Sequence, residues 1–242
     1  MREIINEYTM ESGVRGLKKQ METLCRQAAV KLVKGEQKSI SVGVKRLKEF
    51  LGRKKIHHDV RMQEPQAGVV TGLAWTSAGG EILFIETSRT KGEGKVQITG
   101  QLGDVMKESV QIALTLVKSM FPEEAETLNE SDIHIHVPAG AVPKYWPSAV
   151  ITIVTALTSM LKEKGISPEY AMTGEVSLRG GVMPIGGLPE KLMAAQRAGI
   201  RTVFIPYENR EDLEDVADEV KEDLTIIPVK RIEEVLQKTN LI

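Results

Sequence analysis

Two side chains of this 242-residue sequence have the types needed for acyl transfer by a serine and a base. Ser148 follows the loop His136-Val-Pro-Ala-Gly-Ala-Val-Pro-Lys-Tyr-Trp-Pro147 and opens an apolar run. Lys191 lies in Gly186-Gly-Leu-Pro-Glu-Lys191-Leu, at the start of an amphipathic segment. A serine hydroxyl beside an uncharged amine is a nucleophile with its base and needs no Asp–His pair. Pro147 suits the first turn of a helix, so Ser148 would lie among free backbone N–H groups that can steady an oxyanion. The plainer readings are a helix cap for Ser148 and a solvated lysine for Lys191. To serve as a base, the lysine must be buried enough to lower its pKa, with no carboxylate beside it.

Other reactive types are read in the same way. Thr173, in Ala171-Met-Thr-Gly-Glu-Val176, either closes a turn or orients the lysine amine. His134 and His136 share one strand face. As a zinc pair they lack a third ligand at any zinc spacing, and partly buried strand histidines are the simpler expectation. Glu86 interrupts an apolar strand, as an outward-facing position or a site carboxylate. Gly92-Glu-Gly-Lys95 resembles part of a phosphate loop, but Arg89 stands where the first glycine belongs and no Ser or Thr follows the lysine. A hairpin turn is expected there, and no nucleotide-hydrolysis core. The single Cys25 excludes an internal disulfide and is expected as a small buried hydrophobe.

The elements that must position these groups follow from periodicity. Helices are expected at 2–9 and 12–34, the second capped by Ser12, with Val14, Leu17, Met21, Leu24, Ala28 and Leu32 on one face. A short strand at 39–42 and a helix from Val44 to Leu51 complete a small helical domain, residues 1–55, and a polar linker covers 56–67. From residue 68 to 242 strands interleave with helices. Strands are expected at 68–76, 81–89, 95–100, 132–137, 201–206 and 224–227, with two short ones near 174–178 and 181–184. Helices are expected at 101–120, 148–164, 189–198, 210–220 and 230–239. The fold class is α+β: a small helical subdomain followed by a mixed α/β domain, with a parallel crossover near its end.

Composition bounds the function. With 41% hydrophobic and 27% charged residues and a net charge of −1, this is the composition of a soluble globular protein. No apolar run reaches membrane-spanning length, and the first residues are not a signal peptide, so a cytoplasmic protein without membrane contact is expected. The charge is uneven. Residues 1–55 hold 14 Lys and Arg against 6 Glu, net +8, and the rest is net −9. A basic piece on an acidic body suggests two domains with different partners, non-specific DNA among them, although no aromatics interleave the basic residues.

Taken together, these blocks resemble the Lon family of ATP-dependent proteases. The resemblance rests on Tyr8-Thr-Met-Glu-Ser-Gly-Val-Arg15-Gly-Leu, Val70-Thr-Gly-Leu-Ala-Trp75-Thr, Gly103-Asp-Val-Met-Lys-Glu-Ser109, His134-Ile-His-Val-Pro, Met172-Thr-Gly-Glu-Val and Pro184-Ile-Gly-Gly-Leu. It implies a helical ATPase subdomain with Arg15 as the nucleotide sensor, then a protease domain with Ser148 as nucleophile and Lys191 as base. Thr173 would place the lysine, Glu86, His134 and His136 would lie near the site, and Trp75 would belong to the substrate region. Backbone groups around Tyr145, Trp146 and Pro147 would form the oxyanion loop. The resemblance further implies a C-terminal part of a hexamer that degrades unfolded polypeptide with ATP and magnesium, no cofactor being held by this part. The family's Lys-Asp-Gly-Pro-Ser-Ala-Gly is here Lys144-Tyr-Trp-Pro-Ser148-Ala-Val150. Bulk at Tyr145, Trp146 and Val150 is expected to impair proteolysis or leave an inactive assembly module.

Overall fold

In the computed structural model, residues 10, 12, 36–37, 57–59, 77–78 and 139–146 fall outside the described set, and Pro147 is described by its backbone alone. The chain forms two compact units, Met1–His58 and Asp59–Ile242.

The first unit is helical: α1 (Arg2–Tyr8), α2 (Arg15–Val33) and, after a 3-10 turn at Val44–Arg46, α3 (Leu47–Leu51). Ile4, Tyr8 and Leu47 form its buried centre, with Leu17, Met21, Leu24, Val42 and Leu51 packed around them. The expected apolar face of α2 is therefore narrower than its sequence suggests. Val14 and Leu32 are exposed, and so is Cys25, which corrects the expectation of a buried thiol. Cys25 follows Leu24 directly and is turned about 100° away from it around the helix. α2 begins at Arg15, not residue 12, and its first turn is satisfied by Glu11, whose carboxylate accepts from the backbone N–H groups of Gly16 at 2.7 Å and Leu17 at 2.9 Å. Ser12, the expected cap, lies outside the described residues. Residues 39–42 are not a strand; Val42 packs into the helical core instead.

The second unit is built on one seven-stranded sheet. Its strands are β1 (Val69–Thr76), β2 (Gly79–Lys91), β3 (Val96–Thr99), β4 (Ser131–His136), β5 (Tyr170–Met172), β8 (Thr202–Pro206) and β9 (Thr225–Val229). Their order is β3-β4-β2-β1-β5-β8-β9. β1, β2 and β4 pair antiparallel, whereas β3–β4 and the run β1–β5–β8–β9 pair parallel. A separate hairpin joins β6 (Glu175–Val176) to β7 (Val182–Met183).

Helices cover both faces. α4 (Asp104–Met120), α5 (Pro122–Asn129), α6 (Val150–Leu161) and α9 (Ile232–Lys238) share one apolar cluster with Ile85, Ile135 and Met172. α7 (Leu188–Arg197) and α8 (Asp218–Asp223) close the other with Leu73, Ile82 and Val203. All twelve residues of α6 are buried, as expected of a helix that is apolar all round. Two of its hydroxyls are satisfied within the helix: Thr155 Oγ1 donates to Ile151 O at 2.7 Å and Thr158 Oγ1 to Val154 O at 2.8 Å.

Most expected elements appear within a few residues of their expected ends. α5 and β5 were not anticipated. The segment expected as one helix at 210–220 is a 3-10 run, Tyr207–Asp215, followed by α8. Buried Asn209 explains the break: its amide accepts from Ile185 N at 3.0 Å and donates to Ile185 O at 2.8 Å, tying that stretch to the loop before α7. The Gly92–Lys95 turn is real, with Glu93 N and Lys95 N both donating to Asp132 Oδ1 at 2.9 Å. It is not a hairpin, because β4 separates β2 from β3.

Candidate active site

Ser148 sits in a single 3-10 turn, Pro147–Ala149, that leads directly into α6. Its carbonyl accepts from Gly174 N at 2.9 Å, and Gly174 O accepts from Ile151 N at 3.2 Å. These two bonds tie the start of α6 to the turn after β5. Thr173 occupies that turn, and its N–H donates to Phe204 O of β8 at 3.1 Å. Lys191 comes from the opposite side of the sheet, in the first turn of α7. The parallel centre of the sheet thus delivers three polar side chains to one point.

Lys191 Nζ lies 3.0 Å from Ser148 Oγ and 3.2 Å from Thr173 Oγ1. All three residues are buried, with relative exposures of 2% for Lys191, 6% for Ser148 and 0% for Thr173. Burial pushes the Lys191 amine down to about 8 from its ordinary value of 10.5, and no carboxylate opposes that shift. A charged amine donates to both hydroxyls. Once neutral, it can give one N–H to Thr173 Oγ1 and turn its lone pair toward the Ser148 hydroxyl. Ser148 also precedes the first turn of α6, where the helix dipole favours developing negative charge. The arrangement can therefore generate a serine nucleophile without a third residue.

Among the other expected site residues, His134 and His136 do share one face. Thr99 Oγ1 lies 2.8 Å from His134 Nε2 and 2.7 Å from His136 Nδ1. One hydroxyl has one proton, so at least one of the two ring nitrogens donates to it. Glu86 stands directly across from His136 on β2. The two histidines thus form a second polar cluster around Thr99, separate from the hydrogen bonds that join Lys191 to Ser148 and Thr173. Among the described residues no group of three or more His, Cys, Asp or Glu could hold a metal ion. Trp75, 49% exposed at the end of β1, lies against Gly187, the residue that opens α7. Arg15 is exposed at the first position of α2. Tyr145 and Trp146 lie outside the described residues. Val150 does not: it is 1% exposed, within the apolar cluster around α6, and is not among the residues with positive φ. The structure absorbs that side chain as core, so this one departure from the family pattern places no strain at the helix start.

Residues 41–241 match the Lon protease (S16) C-terminal proteolytic domain, and residues 1–40 match the Lon protease AAA+ ATPase lid domain. The chain belongs to the Lon protease family. A Lon protease of Clostridium beijerinckii is 54% identical over 237 residues, 98% of this chain and 30% of the relative. A Lon protease of Methanosarcina barkeri is 50% identical over 238 residues, 97% of this chain and 30% of the relative. Lon protease 1 of Bacillus subtilis is 48% identical over 238 residues, 97% of this chain and 31% of the relative. The chain thus spans about a third of the length of the curated relatives it matches. Most of the residues that match the Lon proteolytic domain lie in the second unit, with its mixed seven-stranded sheet. No helix among the described residues is long and apolar enough to cross a membrane.

Thr99, Gly174 and Asn209 were not singled out from sequence. Thr99 had a strand-period signal but no partner to read, because β3 meets β4 only after the crossover through α4 and α5.

Proposed function

We propose that this chain is the proteolytic part of an ATP-dependent serine endopeptidase in which Ser148 is the nucleophile and Lys191 the general base. The observation that carries this reading is the 3.0 Å contact between the Ser148 hydroxyl and a lysine amine lowered by burial alone. Lys191 Nζ takes the Ser148 proton as Oγ bonds to the peptide carbonyl carbon. The resulting ammonium returns the proton to the leaving nitrogen as the C–N bond breaks. The same amine then activates water against the acyl-serine. Thr173 holds the amine in place. Pro147 has no N–H, so the oxyanion donors at this loop are its neighbours' backbone groups.

In the whole protein, domain units 1–55 and 68–242, joined by 56–67, would work as lid and protease. ATP and magnesium would supply the work that delivers unfolded polypeptide, and a homohexamer would enclose it in the cytoplasm. Of the residues here, the exposed guanidinium of Arg15 fits contact with a bound nucleotide. Glu86, His134 and His136 would support the protease face, and Trp75 would contact substrate. Tyr145 and Trp146, where the family pattern has Asp and Gly, favour a second reading in which the loop is inert and the fold serves assembly. A serine-directed covalent peptide reagent separates the two. Adduct on Ser148, absent in Ser148→Ala, supports the peptidase, and a parent chain that takes up no reagent supports the inert module.

A further inference from the structure

The first turn of α7 is held from outside by the end of the β1–β2 hairpin. Trp75 and Gly80 stand directly opposite each other in that hairpin. The Trp75 ring packs on Gly187, whose φ is +68° and where an added Cβ would lie 2.8 Å from Trp75 Cγ. The backbone of Gly80 lies against the peptide that joins Glu190 to Lys191. A Cβ there would overlap the Glu190 carbonyl and come within 2.9 Å of Lys191 N. A third tie comes from the far end of the same helix, where Arg197 Nη2 donates to Gly80 O at 2.7 Å.

We infer that Trp75, Gly80 and Arg197 form a clamp that sets the height of Lys191 beneath Ser148; this rests on the reading of Ser148 and Lys191 as the reacting pair. Gly80 and Arg197 touch neither substrate nor the reacting atoms and are positioning residues; Trp75, placed in the substrate region above, braces the start of the helix as well. The physical argument is one of tolerance. The amine must stay within hydrogen-bond distance of two hydroxyls, and a displacement of about 1 Å in such a constellation can cost about a hundredfold in rate. The Lys191 side chain is long, with four rotatable methylenes. Its own rotamers do not fix the amine; the clamped backbone and the two hydroxyls do. Glycine at 80 is required by close approach, because any side chain would lift the β2 backbone off the Glu190–Lys191 peptide. Arg197 is exposed, so its removal opens no cavity in the core.

The test compares peptide hydrolysis by the parent chain, Gly80→Ala, Arg197→Met, Arg197→Lys and Trp75→Ala, each normalised to folded protein by circular dichroism and thermal melting. The clamp predicts that kcat falls at least about tenfold in Gly80→Ala and Arg197→Met, with KM changed less than about twofold, as for an interaction made in the transition state. It also predicts that the rising limb of kcat against pH moves to higher pH, because a displaced amine regains solvent. Arg197→Lys, which keeps a donor, recovers part of the loss. Unchanged kcat and an unmoved pH limb in folded Arg197→Met overturn the clamp, and so does a loss that only tracks unfolded protein in every variant. Ser148→Ala and Lys191→Met are run alongside. If those two keep full activity, the reacting pair itself is wrong; if they are inactive while the clamp variants are normal, only the clamp is.

Discussion

Lys191 combines two costs and one gain. Its amine loses water on folding, and no carboxylate compensates. The gain is a base that is partly neutral near pH 8, where an ordinary lysine is charged. The same shift makes a stability prediction. A lysine with a depressed folded pKa binds fewer protons than the unfolded chain between about 8 and 10.5, so stability rises with pH across that window. Below about 8 the penalty is fully present. Lys191→Met should therefore be more stable than the parent at pH 7, by up to about 3 kcal/mol from the size of the shift, and the advantage should shrink toward pH 10. Chemical denaturation of both proteins at pH 7 and pH 10 checks this, and equal differences at the two pH values would refute it. At this scale Ser148 and Lys191 were legible in sequence because family-like blocks flank both. Arg197 was not, since its role depends on where a distant carbonyl lands. The bulk of Val150 was legible but its burial was not, because only the fold shows that this position faces a core.

At the scale of elements, the sheet centre and α6 fix the site. β1 approaches α6 so closely at Gly72 that an added Cβ would lie 2.9 Å from Thr152 Oγ1 and 3.1 Å from Leu83 Cδ1. Gly72→Ala is expected to cost about 1–3 kcal/mol by overpacking and to shift α6, and with it Ser148. A thermal melt measures the first effect, and a variant with parent stability would contradict it. Long periodic elements such as α4 and α6 were readable from their apolar pattern. β5 was not: three residues, Tyr170–Met172, are too few to display a period, although this strand holds Thr173 in place. α5 carried its signal in Pro122 at the first position and two glutamates in the first turn, which a reading centred on apolar spacing passes over. The 210–220 segment followed tertiary demand at Asn209 over local propensity.

At the scale of the whole molecule, the described residues form two compact units, Met1–His58 and Asp59–Ile242, whereas the two family matches meet between residues 40 and 41. Tyr8 and Phe50 of the first unit are buried, so it offers no such ring for base stacking. Any DNA contact would be to phosphates, independent of sequence. Binding of a short duplex should then weaken about tenfold or more between about 50 and 200 mM salt. Salt-insensitive or sequence-selective binding would argue against that picture, and no binding at low salt would remove it.

On the reading proposed above, Ser148 is a nucleophile activated by Lys191. Its most direct test is the rate at which a serine-directed covalent peptide reagent labels the chain, followed by mass spectrometry from pH 6 to pH 10. A single adduct on Ser148 is predicted. Its rate should climb through a limb near pH 8, fall at least about a hundredfold in Lys191→Met, and vanish in Ser148→Ala. A parent chain that takes no label, labels another residue, or labels equally fast in Lys191→Met would rule out a Ser148 nucleophile activated by Lys191.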